Sequence, residues 1–144
     1  MRSTFVPPTD AAAYRFCHQV RVRFAETDAM GVVHHAAYLP YLESARVEYL
    51  RSAGRPYTEL RRGGIELPVI EVVARYLRPL AFDDLVDVHV VLASVGAATC
   101  ELGYLLVADG TPRATAVTVH GVVSSGSGRP TRAPDWLRSL AASG

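Results

Sequence analysis

The chain has 144 residues, of which 49% are hydrophobic and 20% are charged, and its formal net charge is +1. This length suits one domain with a substantial apolar core, and so small a charge gives no electrostatic basis for binding nucleic acid or a membrane surface. No apolar run approaches a transmembrane span, and the N-terminus lacks the long apolar segment of a signal peptide. We therefore expect a cytoplasmic protein without membrane insertion, with Cys17 and Cys100 as buried free thiols.

The predicted elements begin with a flexible N-terminal arm over residues 1–14, which contains a proline pair and an alanine triplet. A single domain is expected over residues 15–142. Its first element is a strand from Phe16 to Ala25, where apolar and polar residues alternate as they do in a half-exposed strand. The next stretch, residues 26–51, places a carboxylate, a glycine and two histidines in its first ten positions, and its second half carries the only long helical pattern.

This helix is expected to begin between Ala36 and Leu39, because Pro40 is tolerated only in a first turn. Apolar residues recur at helical spacing on one face, at Tyr38, Leu42, Ala45 and Tyr49, with Leu39, Val47 and Leu50 widening it. Gly54 is a suitable residue to end the helix. The polar cluster therefore lies at the N-terminal end of the helix, where unpaired N–H groups and the positive dipole end favour an anion or a polarised carbonyl oxygen.

Four further strands are predicted after the helix, followed by a short closing helix. The strands are expected over residues 65–78, 85–95, 99–108 and 114–123, and the closing helix over 134–142. Consecutive strands joined by short turns form an antiparallel sheet, and the apolar face of the long helix must pack against it. The pattern predicts an α+β fold with a single helix–sheet core, whose free sheet edges a partner chain could pair.

The segment from Val22 to Leu50 resembles the signature of the hotdog-fold acyl-CoA thioesterases of the 4-hydroxybenzoyl-CoA thioesterase class, most closely the YbgC-like branch. The family pattern T-D-x-x-G-x-V-x-H-x-x-Y, followed by a helix with E-x-A-R, is matched by Thr27, Asp28, Gly31, Val33, His35, Tyr38, Glu43, Ala45 and Arg46. The resemblance extends over about residues 16–140. It implies a hotdog fold, in which an antiparallel sheet of five to six strands wraps around one long central helix. It also implies homodimers or homotetramers with active sites at the dimer interface.

Asp28 matches the catalytic carboxylate of that family. Thioester hydrolysis needs water activated at a carbonyl, or a carboxylate that attacks the carbonyl itself, and Asp28 suits either role. The alternative is an Asx turn or a helix cap. His35 matches the family's histidine, and its backbone N–H or its imidazole is expected to stabilise the oxyanion together with the helix start. The alternative for His35 is a capping or packing role.

Substrate-binding roles are expected for five further residues: Gly31, Val33, His34, Tyr38 and Glu43. Gly31 gives backbone freedom beside the reaction centre, and His34 is a pocket wall or an exposed residue. For Glu43, an ion pair with Arg46 three residues later is the alternative. Candidates for the coenzyme A phosphates are Arg75, Arg78 and Arg129, with a solvated strand edge as the alternative. Because adjacent histidines point in different directions and no further ligand follows at suitable spacing, we expect no metal and no organic cofactor.

The sequence therefore predicts an acyl-CoA thioesterase that releases a short-chain or aromatic acid from its acyl-CoA. One alternative is a thioesterase that acts on an acyl carrier protein, which should show a basic recognition patch beside the pocket. Another is a hotdog module that binds acyl-CoA without hydrolysing it, which should lack the acid and usually carries a DNA-binding segment. A hotdog dehydratase or hydratase should show a different arrangement of Asp and His. The sequence leaves the acyl group open.

Overall fold

The fold is an antiparallel sheet wrapped around one long helix, seen in a computed structural model that describes residues 3–143. The strands are β1 (Phe16–Arg21), β2 (Ile65–Glu66), β3 (Val69–Tyr76), β4 (Leu85–Val95), β5 (Thr99–Ala108), β6 (Thr111–Gly121) and β7 (Val123–Ser124). The helices are α1 (Tyr38–Ser52), α2 (Tyr57–Arg62) and α3 (Asp135–Ser143). Five strands form the main sheet in the order β1-β4-β5-β6-β3, and β2 pairs with β7 in a small separate sheet. The predicted α+β hotdog arrangement is confirmed, with five strands in the main sheet.

Helix α1 starts where the sequence places it, with Pro40 in its first turn and a 3-10 turn over His35–Ala37 directly before it. Its buried side chains are Tyr38, Tyr41, Leu42, Ala45, Arg46, Tyr49 and Leu50. They share the core with alternate residues of β4, from Val86 to Leu92, which form the inner face of this strand. Leu39 was expected to widen the buried face, but it is 49% exposed. Leu39 is exposed because it lines the groove between α1 and β3, and α1 does not cover this groove.

Two predicted strands are shorter than their sequence patterns. β1 ends at Arg21 because the carboxylate of Glu26 accepts the Arg23 N–H at 2.8 Å and closes a 3-10 turn there. Phe24, which lies within the predicted strand, is consequently 76% exposed. The predicted strand over residues 65–78 is interrupted before β3, because Pro68 has no N–H for a strand ladder, and its first part pairs with β7 instead.

Residues 3–14 lie across the outer face of the main sheet. The Phe5 ring packs over Gly103 of β5, where a side chain would collide with it. The Ser3 N–H donates to the Glu71 carboxylate at 2.8 Å, and the Tyr14 ring packs against His89 with 5.7 Å between ring centroids. The outer-face residues Leu105, Val117 and Val119 are buried on this side of the sheet. A flexible arm over 1–14 and a single domain over 15–142 remain predictions, and residues 1, 2 and 144 lie outside the described part.

Both cysteines are free thiols, but only Cys100 is buried. Cys17 is exposed because it lies on the outer side of the edge strand β1, so the expectation of burial was wrong for this residue. None of the helices within residues 3–143 combines the length and the apolar character that a membrane crossing requires.

Candidate active site

The loop before α1 is a narrow hairpin that reverses the chain between Asp28 and Val32. The His34 N–H donates to the Glu26 carbonyl oxygen at 2.8 Å, and the Asp28 N–H donates to the Val32 carbonyl oxygen at 2.8 Å. Val33 is buried, and its N–H donates to the Leu80 carbonyl oxygen at 2.7 Å. The loop is therefore anchored at both ends, and the helix follows it directly.

Asp28 lies in the exposed turn of this hairpin. Its Oδ1 accepts the N–H of Met30 at 2.8 Å and that of Val32 at 3.4 Å. Gly31 completes the turn with a φ of +82°, a conformation that glycine adopts without steric penalty. The Asx turn that the sequence left as an alternative role is thus present, but it occupies only one carboxylate oxygen. Within residues 3–143, Oδ2 accepts no hydrogen bond and Asp28 forms no ion pair.

Glu26 stabilises this loop through hydrogen bonds of its carboxylate, a role that the sequence analysis missed. Its carboxylate accepts the Tyr41 hydroxyl at 2.7 Å and the Arg23 guanidinium at 3.0 Å, besides the Arg23 N–H. Burial alone would raise the pKa of Glu26, but these hydrogen bonds and the Arg23 charge together hold it below its usual range. Burial and the neighbouring Glu26 carboxylate raise the pKa of Tyr41. An ionised Glu26 therefore connects the first turn of α1 to the Asp28 loop.

The two histidines have different backbone roles at the helix start. His34 Nδ1 accepts the Ala36 N–H at 3.1 Å and so caps the 3-10 turn. The His35 ring stacks on the His34 ring, with centroids 4.3 Å apart, and both residues are exposed. The N–H groups of His34, Ala36 and Ala37 each have an acceptor, whereas the His35 N–H has none among the described residues. The His35 N–H is therefore a free donor at the positive end of the helix.

A cavity of about 290 Å³ opens beside this helix start, between the loop and the end of β3. Val33, His35 and Tyr38, three of the predicted site residues, line it together with Tyr76 and Arg78. Burial raises the pKa of Tyr38, whose ring packs against that of Tyr76 at 4.8 Å. The cavity therefore has largely apolar walls, and His35 at the helix start is one of its lining residues.

The remaining predicted residues lie elsewhere. Asp28, Gly31 and His34 are in the adjoining loop rather than on the cavity wall, and Glu43 lines a separate pocket farther along α1. Of the three arginines proposed for phosphate binding, only Arg78 borders the cavity. Arg75 lies near the N-terminal segment on the outer face, and Arg129 is exposed in the link before α3.

The alternative Glu43–Arg46 ion pair does not form. Arg46 is only 6% exposed and donates to the hydroxyl oxygens of Tyr57 at 3.3 Å and Tyr104 at 3.2 Å. Glu43 is exposed at the border of a pocket that Arg46 also lines, but it does not contact the guanidinium. The ion pair at this spacing on α1 is instead Glu48–Arg51, at 3.3 Å. Arg46 thus belongs to the buried side of α1.

A buried hydrogen-bond network continues from Arg46 into the sheet. The hydroxyls of Tyr104 and Thr118 are 2.7 Å apart, and His120 Nε2 lies 2.8 Å from the Thr118 hydroxyl. His120 Nδ1 lies 2.8 Å from the Leu67 carbonyl oxygen. Burial lowers the pKa of His120 to about 4. Thr118 is two residues before His120 on β6, whereas Leu67 lies in the short link between β2 and β3.

One cluster has the donor types of a metal site, on the outer face of β1 and β4. Donor atoms of Cys17, Asp87 and His89 lie within 4.8 Å of one another. Partial desolvation of the exposed Cys17 thiol and the Asp87 charge raise its pKa, and the protonated thiol is a poor metal ligand. The pairing of Cys17 with His89 depends on the register of β1 against β4, which the sequence alone does not display.

Comparison with known proteins identifies the family to which this chain belongs. The family model of the thioesterase-like superfamily matches residues 22–140. A 1,4-dihydroxy-2-naphthoyl-CoA hydrolase from Synechococcus elongatus is 31% identical over 139 residues, covering 90% of this chain and 98% of the relative. The acyl-CoA thioester hydrolase YbgC of Escherichia coli O6:H1 is 33% identical over 76 residues, covering 53% of this chain and 57% of YbgC. The crystal structure of a hypothetical protein from Aquifex aeolicus has a TM-score of 0.82 and 35% identity, covering 88% of this chain and 99% of that one. The chain belongs to the thioesterase-like superfamily, whose relatives include named acyl-CoA thioesterases.

Proposed function

We propose that the protein is a cytoplasmic acyl-CoA thioesterase that hydrolyses the thioester of a short-chain or aromatic acyl-CoA to the free acid and CoA. The observation that carries the proposal is the exposed Asp28 carboxylate, with one oxygen unused, in a loop that leads directly to the free His35 N–H. The family membership of the chain supports the same reaction class.

In the proposed reaction, the thioester carbonyl oxygen accepts a hydrogen bond from the His35 N–H, where the helix dipole stabilises developing negative charge. Asp28 acts in one of two ways. As a general base, it takes a proton from a water whose oxygen attacks the carbonyl carbon; the C–S bond then breaks and the CoA thiolate takes up a proton. As a nucleophile, it attacks the carbonyl carbon itself, CoA leaves, and water hydrolyses the resulting anhydride.

The substrate-binding residues have distinct parts in this proposal. Val33 and Tyr38 form cavity wall beside the thioester, and Gly31 allows the tight turn that presents Asp28. His34 fixes the helix start through its cap, and Glu43 borders the groove farther along α1. Arg78 at the cavity edge is the best placed of the three arginines for a CoA phosphate.

One experiment distinguishes the proposed function from its two alternatives, a thioesterase that acts on an acyl carrier protein and a module that binds acyl-CoA without hydrolysis. Release of free thiol is measured over a graded panel of acyl-CoAs and on matched acyl carrier protein thioesters, with the Asp28→Ala protein as control. Faster hydrolysis on the acyl carrier protein would transfer the assignment to that carrier. Binding of acyl-CoA without thiol release by the wild type would identify a non-catalytic binding module and contradict the proposal.

We expect the protein to form a homodimer or a homotetramer built as a dimer of dimers. β3 is an edge strand that pairs only with β6, and its apolar residues Val69, Ile70, Val72 and Val73 are between 39% and 53% exposed. An apolar edge of this kind can pair with a second copy. Light scattering at micromolar concentration should give at least twice the monomer mass, and Ile70→Lys should lower it. A wild type that is only monomeric would contradict the prediction. It would also contradict the expectation that the active site lies at a dimer interface.

Hydrolysis is expected to be independent of metal ions. The Asp28 loop contributes one carboxylate, and within residues 3–143 no group of three metal-ligating side chains includes it. Dialysis against a strong chelator should therefore leave kcat and KM unchanged. Activity that is lost on dialysis and restored by a divalent ion would refute the metal-free mechanism.

A further inference from the structure

A second pocket, of about 340 Å³, lies farther along the groove between α1 and β3. Most of its lining is apolar and comes from these two elements. Arg46 is its buried cationic group, and the exposed carboxylate of Glu43 borders it. Because β3 is an edge strand, a second copy paired along it would add a wall to this pocket. The pocket therefore combines a largely apolar lining with one buried cation.

That charge lacks a counter-ion in the described chain. Arg46 is 6% exposed, and no carboxylate of residues 3–143 lies within 4.0 Å of its guanidinium. Of the five N–H groups of a guanidinium, one on Nε and one on Nη1 donate to the neutral hydroxyls of Tyr57 and Tyr104. A buried cation without an opposite charge is unfavourable. An oxygen acceptor that enters this pocket would supply the missing interaction, whereas a hydrocarbon would leave the guanidinium facing an apolar group.

We propose that Arg46 is a specificity-determining residue that binds an oxygen atom at the far end of the acyl group. The inference rests on the proposed thioesterase function, because it assumes that the thioester lies at the helix start. From Tyr38 to Arg46 the helix rises about 12 Å, at 1.5 Å per residue. An aromatic ring or a six-carbon chain that lies along α1 covers much of this span, and the arginine side chain covers the rest. The substrate class is therefore an acyl-CoA with a distal hydroxyl or carboxylate oxygen.

The first measurement uses the wild-type protein and two series of similar size. One series is 4-methyl-, 4-hydroxy- and 4-carboxybenzoyl-CoA, and the other is hexanoyl-, 6-hydroxyhexanoyl- and adipoyl-CoA. In at least one series, the substrates with a distal oxygen should exceed the methyl-terminated one in kcat/KM by about tenfold or more, the effect of a hydrogen bond to a charged group. The difference should appear mainly in KM. A carboxylate that exceeds the hydroxyl indicates recognition of charge, and equal values indicate recognition of an acceptor alone.

The second measurement repeats the series with Arg46→Met and with Arg51→Met as the matched control. Arg51 is on the same helix but is exposed and paired with Glu48, so its replacement should leave all rates and ratios unchanged. Arg46→Met should bring the preference close to one while the methyl-terminated substrate is hydrolysed at least as fast as by the wild type. Arg46→Lys, which keeps the charge without the planar fork, should keep part of the preference and serves if Arg46→Met fails to fold.

The inference is overturned if the wild type hydrolyses methyl-terminated and oxygen-bearing substrates equally well, or if folded Arg46→Met keeps the full preference. Failure of the proposed function would give a different result, because the wild type would then hydrolyse neither these substrates nor any other acyl thioester.

Discussion

Asp28→Asn should slow thioester hydrolysis at least about a hundredfold, the low end of general-base contributions, while the protein stays folded. Asparagine can keep the Asx turn, because its carbonyl oxygen can accept the Met30 N–H that Asp28 Oδ1 accepts now. The oxygen that has no partner is replaced by an amide NH₂, which is neither a base nor a nucleophile. The free energy of unfolding should therefore change by less than about 1 kcal/mol, the size of a cap effect.

The measurement is the single-turnover rate on the best thioester of the panel, together with urea unfolding and the dissociation constant of the acyl-CoA. Binding should largely persist, because most contacts lie along the pocket and the pantetheine arm. Asp109→Asn is a suitable control, since Asp109 also lies in an exposed turn but belongs to the β5–β6 hairpin. A folded Asp28→Asn protein with a rate close to that of the wild type would restrict Asp28 to its turn.

His35→Ala separates the two ways in which His35 can serve the oxyanion. The substitution keeps the backbone N–H that has no acceptor among the described residues. The loss of rate should be mild if only this N–H acts, and comparable with that of Asp28→Asn if the imidazole is needed.

Stability should fall as the pH is lowered from about 6.5 to about 4, because of His120. Its pKa is lowered to about 4 by burial, whereas the unfolded chain should have the ordinary value of about 6.5. Between these values the unfolded state binds a proton that the folded state does not, so acid favours unfolding. At 1.36 kcal/mol per pKa unit, the total loss is about 3 kcal/mol. It should be absent above the upper value and complete below the lower one.

Urea unfolding at a series of pH values measures this effect. His120→Gln removes the titrating group, so the slope of stability against pH in this window should become shallower. His18→Gln is the matched control, because His18 lies on β1 and its hydrogen-bond partner among residues 3–143 is the Ser44 hydroxyl, at 3.1 Å. An unchanged slope in His120→Gln would assign the acid sensitivity to other groups.

The start of α1 and the inner face of β4 could be predicted because their causes are local. Pro40 fixes the first turn of a helix wherever that helix packs, and alternating valines define a strand face without knowledge of the neighbouring strands. The division of residues 65–78 between two sheets could not be predicted, because it depends on the distant β7 as well as on Pro68.

The same distinction applies to the site. The motif located Asp28, Gly31 and His35 in one loop, and their local hydrogen bonds follow from short spacing. The role of Glu26 depends on a hydrogen bond from the Tyr41 hydroxyl, which belongs to helix α1. Arg46 donates to the hydroxyl of Tyr104, a residue on a distant strand. Such contacts are set by tertiary packing, which single-sequence patterns do not contain.

The segment over residues 3–14 acts as an intramolecular ligand for the outer face of the sheet. Because it is tethered to β1, its effective concentration is on the order of millimolar, so the few contacts of Phe5 and Tyr14 are enough to hold it in place. Another molecule that binds this face must first displace the tethered segment. A truncated chain that begins at residue 15 would instead expose Leu105, Val117 and Val119 as a contiguous apolar patch, which favours association with other molecules.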